Sequence, residues 1–101
     1  MKTLHIVNKS PEHPSAINRC IKFSSQSDSL LLIEDGVYFA LPSTLSKIKQ
    51  SLDAANITLY VLEEDLVARG IHKQTDQSIQ TVTYDGFVEL TATHNKSSSW
   101  Y

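Results

Sequence analysis

An α/β fold is predicted here: a small three-layer domain with a mostly parallel sheet of about four strands flanked by helices. Three observations predict it. Short strand-like runs alternate with helical patterns along the chain, the order that builds parallel sheets. The run Leu30-Leu31-Leu32-Ile33 is apolar without alternation, as in a strand covered on both faces. Three runs also end in an acidic turn, at Glu34-Asp35-Gly36, Glu63-Glu64-Asp65 and Tyr84-Asp85-Gly86, where a strand gives way to a helix.

The elements follow in order. Thr3 to Val7 is rich in β-branched residues and reads as the first strand. Asn8 to Pro14 carries two prolines and reads as a loop. From Ser15 the period changes: Ala16, Ile17, Cys20, Ile21 and Ser24 mark one face of an amphipathic helix, with Asn18, Arg19 and Lys22 opposite. Ser25 to Asp28 is a polar turn, and Ser29 to Ile33 is the second strand. A short helix over Val37 to Leu41 is stopped by Pro42. A longer one, about Ser43 to Ala55, sets Leu45, Ile48, Leu52 and Ala55 on one face. Thr58 to Leu62 is the third strand and Ile79 to Thr83 the fourth. Helices over Asp65 to Arg69 and Phe87 to His94 follow them, the former ended by Gly70. Gly70 to Gln77 reads as a loop, and the tail Lys96-Ser97-Ser98-Ser99 as loose chain closed by Trp100-Tyr101. In each acidic turn the Asp is placed to cap the N–H groups of the helix that follows.

The 101 residues, 41% hydrophobic and 20% charged, make one domain over residues 1–101. A domain of this size buries only about two-thirds of its unfolded surface, so a partner subunit is expected. One cysteine excludes an internal disulfide framework or a multi-thiolate metal site within the chain. A net charge of −2 gives no basic footprint for nucleic acid, so no direct nucleic-acid contact is expected. The longest apolar run, Val37 to Leu41, is far short of the ~20 residues of a membrane span. The start, Met1-Lys2-Thr3-Leu4-His5, lacks the apolar core of a signal peptide, and a cytoplasmic protein is expected.

Most catalytic signatures are missing. His5, His13, His72 and His94 are dispersed, so no metal site is expected. With three glycines, neither a dinucleotide fingerprint nor a Walker loop exists, and no cofactor is expected. The paired carboxylates at the strand ends suit helix capping better than acid–base or metal chemistry, because the pattern occurs three times. Lys47 and Lys49 read as a solvated face. Trp100, at a polar terminus, is either a subunit contact or a cap on the chain's own core. Cys20 is the one candidate nucleophile or sulfur carrier. Its place between Ile17 and Ile21 on the apolar face favours a core thiol, and its charged neighbours Arg19 and Lys22 point elsewhere on a helix.

The segment from Leu4 through Asn8 to Pro11, then Cys20, then Leu31-Leu32-Ile33-Glu34-Asp35-Gly36-Val37-Tyr38 resembles the DsrH/TusB family. The blocks Leu59 to Leu62, Asp65 to Gly70, Tyr84 to Leu90 and the terminal Trp100 agree in collinear order. The resemblance implies a DsrE-like fold and an accessory place in a sulfurtransferase heterohexamer, beside TusC/DsrF-like and TusD/DsrE-like subunits. TusA-like and TusE/DsrC-like carriers bring and remove sulfur, and the main sulfur-accepting cysteine lies on the TusD/DsrE-like partner. One branch serves 2-thiouridine at the tRNA wobble position; the other serves dissimilatory sulfur oxidation. A purely structural interaction subunit is the third reading. Cys20 matches a cysteine of DsrH proteins, which some TusB members lack, and the resemblance makes it a candidate persulfide carrier.

Overall fold

A computed structural model of the chain describes residues 2–101. Five strands form one sheet: β1 (Thr3–Val7), β2 (Ser29–Leu32), β3 (Thr58–Leu62), β4 (Gln80–Val82) and β5 (Lys96–Trp100). Their order is β4-β3-β2-β1-β5 and all four neighbouring pairs are parallel. The helices are α1 (Ser15–Phe23), α2 (Pro42–Leu45), α3 (Lys49–Ala54), α4 (Glu63–Ala68) and α5 (Tyr84–Thr93), with 3-10 helices at Glu34–Ala40 and His72–Gln74. No helix among the described residues is long and apolar enough to cross a membrane.

Strand order dictates the layers. From β1 to β4 each connection steps in one direction across the sheet, so right-handed crossovers place their helices on one face. Ile17, Val37, Phe39, Leu45, Ile48, Leu52 and Leu66 accordingly share a core with Val7, Leu30, Leu32 and Val61. The last connection runs back from β4 past three strands to β5, and the same handedness sends α5 to the other face. There the alternate residues Leu4, Leu31 and Leu62 are fully buried as well. Burial on both sides is why β2 shows no polar alternation.

Three sequence expectations are corrected. The serine-rich tail is the edge strand β5, whose backbone pairs with β1 from Thr3 opposite Lys96 to Val7 opposite Trp100. A helix over Ser43 to Ala55 is broken into α2 and α3. The Thr44 hydroxyl donates to the carbonyls of Tyr38 and Leu41, and the Ser46 hydroxyl to that of Ser43, so side chains compete for the helix's own acceptors. The acidic residues also do not cap the helices that follow them. Ile33 and Leu62 occupy the N-cap positions of the 3-10 helix and α4 with no side-chain bond, and Thr83, not Asp85, caps α5 through the Gly86 N–H. Gly70, with φ at +69°, ends α4, and the N–H of Ile71 returns to the Leu66 carbonyl.

Candidate functional site

Cys20 lies in the middle of α1, whose buried face is Ala16, Ile17 and Cys20. Its exposure is 0%, and it packs in the core that lies under α1. Burial pushes its thiol pKa up to about 12; the Asp28 carboxylate adds to the rise and a hydrogen bond with Ser24 opposes it. Arg19 and Lys22 are exposed on the outer side of the helix, and the Arg19 guanidinium is turned to the Ser15 and Tyr101 carbonyls. Nothing electropositive therefore stabilises a thiolate, and at neutral pH the group stands as a thiol. Alkylation of native protein by iodoacetamide at pH 7.5 is expected to run at least about a hundredfold slower than in urea. Mass spectrometry of the timed products measures the ratio, and equal rates would place the thiol at the surface.

At the carboxyl edge of the sheet, carboxylates bind one element to the next. The N–H of Glu34, at the start of its 3-10 helix, donates to Asp65 Oδ2 on α4 at 2.6 Å. The N–H of Tyr84, at the start of α5, donates to Glu64 Oε2 at 3.1 Å. Arg69 pairs with Asp35 at 2.9 Å and stands 3.9 Å from Asp65. Each acid thus satisfies an orphan donor, or a cation, of a neighbouring element. The capping chemistry read in the sequence is present but reaches across strands. Beside this edge a groove of about 500 Å³ opens between the Ser10–Glu12 loop and Asp35, Tyr38 and Thr44. It lies where open α/β sheets receive ligands, but Cys20 does not line it. Among the described residues no group of three or more His, Cys, Asp and Glu could hold a metal ion.

A buried polar chain near the opposite edge escaped the sequence reading. Asp28 is 3% exposed; its Oδ1 accepts the Thr3 N–H at 3.1 Å, and its Oδ2 accepts the Ser25 N–H at 3.0 Å and meets His5 Nε2 at 2.8 Å. The Trp100 indole N–H donates to His5 Nδ1 at 3.1 Å. That donor assigns the proton of the imidazole to Nε2, which donates to Asp28. Burial raises the Asp28 pKa, but the hydrogen bonds from His5, Ser25 and Thr3 outweigh it, and the net shift is downward. Trp100 also stacks on Phe23 with ring centroids 6.1 Å apart. Of the two sequence readings of Trp100, the contact within its own chain is therefore made. Only the Ser25 N–H is a local partner of the aspartate; Thr3 and His5 lie 25 and 23 residues before it, and Trp100 joins from the far end, so local spacing gives no sign of the network.

Known proteins give this geometry a context. Residues 9–97 match the family described as DsrH like protein. Protein TusB of Klebsiella pneumoniae (strain 342) is 37% identical over 97 residues, which cover 96% of this chain and 99% of the relative. Protein TusB of Escherichia coli O139:H28 is 35% identical over the same length and coverage. The solution NMR structure of a Thermotoga maritima protein superposes with a TM-score of 0.65, covering 89% of this chain and 91% of that one. Its identity is 23%, so it speaks for the fold alone.

Proposed function

The chain belongs to the DsrH family, and we propose that it is the TusB-type accessory subunit of a cytoplasmic persulfide relay serving wobble 2-thiouridine. The observation that carries the reading is the likeness to proteins named TusB over nearly the whole of both chains. The chain, taken as one domain over residues 1–101, acts as a scaffold in a hetero-oligomer with TusC-like and TusD-like subunits. TusA-like and TusE-like carriers deliver and remove the sulfur. In such a relay a thiolate attacks the outer sulfur of a donor persulfide, takes that sulfur, and frees the donor as a thiolate. Cys20, fully buried and held as a thiol, suits the scaffold better than the transfer. The sulfur-accepting cysteine in this reading is the partner's.

Deleting this chain in the source cell tests the reading through the wobble 2-thiouridine content of tRNA. Loss of the modification is expected, restored by both the wild-type chain and Cys20→Ala. Restoration by the wild type alone would return Cys20 to the relay. Undiminished thiolation would overturn the tRNA reading and favour a sulfur-oxidation subunit.

A further inference from the structure

The face covered by α5 is the thin side of the molecule. Handedness gives that face a single ten-residue helix for five strands. A helix is roughly 10 Å wide, whereas five strands at about 4.8 Å spacing span roughly twice that. Ile6, Tyr60 and Val82, on the same face by alternation, are only half-buried.

The surface of α5 is divided in three. Gly86, Phe87 and Leu90 are half-buried and turn toward the sheet. Tyr84, Val88 and Ala92 follow one another at four-residue steps along one outer flank; Tyr84 is 54% and Val88 66% exposed. Asp85 and Glu89, also one turn apart, form the other outer flank, and α5 carries no Lys or Arg to answer them.

An uncharged stripe bordered by an acidic row specifies its occupant. The stripe gains from apolar contact, and the row gains from cations at its border. An isologous contact with a second copy of this chain, stripe on stripe, would bring the Asp85 and Glu89 rows of both copies together. We propose that this outer surface of α5 docks an amphipathic helix of a different subunit, whose apolar stripe is bordered by lysine or arginine. The inference rests on the hetero-oligomeric reading above and assigns to α5 the surface by which a sister subunit is held.

The test is the affinity of the full chain, co-expressed or titrated, for the TusC-like and TusD-like subunits of the same organism. Val88→Asp and Tyr84→Glu are each expected to weaken assembly about tenfold or more, with the melting temperature of the isolated chain unchanged. The double variant Asp85→Asn/Glu89→Gln is expected to flatten the salt dependence of association. Wild-type affinity in both Val88→Asp and Tyr84→Glu would overturn the surface and leave the relay reading standing. A wild-type chain that binds neither subunit would overturn both. Unfolding of both variants would refute the exposed placement of the stripe, and self-association through Val88 alone would refute the heterologous partner.

Discussion

Gly36→Ala is expected to destabilise the protein by about 3 kcal/mol, one of the largest effects of any single added methyl group in this chain. A Cβ at Gly36 would stand 2.4 Å from the Val7 carbonyl oxygen and 3.1 Å from its carbon, both backbone atoms of β1, which is paired on both sides. That carbonyl is also fixed by the N–H of Ile33 at 3.0 Å. Neither side can give easily. Retreat of the 3-10 helix would drag Val37, Phe39 and Ala40 from the core, and retreat of β1 would disturb its pairing with β2. Gly86 is the comparison: a Cβ there meets the Val82 Cβ at 3.1 Å, a contact relieved by a shift of a few tenths of an ångström between α5 and the short edge strand β4, and Gly86→Ala should cost less than about 1 kcal/mol. Urea denaturation of the two variants measures the contrast. A Gly36→Ala protein within about 0.5 kcal/mol of wild type would mean that the chain after β2 moves freely against β1.

What could be read in the sequence follows from range. Patterns confined to one element were legible: the apolar face of α1 with Cys20 on it, the continuous apolar run of β2, and the breaks at Pro42 and Gly70. β5 was not, because Lys96-Ser97-Ser98-Ser99 has no apolar alternation; its place comes from backbone pairing with a strand some ninety residues earlier. The break between α2 and α3 was hidden in Thr44 and Ser46, whose hydroxyls bond to carbonyls that only the folded turn brings near. The acidic turns were recognised as capping chemistry, yet which donor each acid meets depends on strand order. The carboxyl-edge groove and the buried Asp28 network have the same origin, since each joins side chains that no local spacing relates.

Asp28→Ala is expected to cost about 3–5 kcal/mol at pH 7, because it removes the acceptor at the centre of that network. His5 Nε2, 5% exposed by residue, and the N–H of Thr3 would both be left buried without partners. The loss also reaches β5, since His5 is the group to which the Trp100 indole is tied. Asp28→Asn, which keeps the shape but sets an amide donor among donors, should fall between the alanine variant and wild type. The pH dependence carries the sign of a depressed carboxyl. The folded pKa of Asp28 lies below its unfolded value of about 3.9, so its contribution is fully present above that value. It is lost as pH falls through the lower, folded pKa, when protonation removes the charge that the three donors hold. The gap in melting temperature between wild type and Asp28→Ala should therefore be widest near pH 7 and narrow as pH falls below about 4. Thermal melts across that range measure it, and a gap that stayed constant with pH would show that the network does not depend on an ionised aspartate.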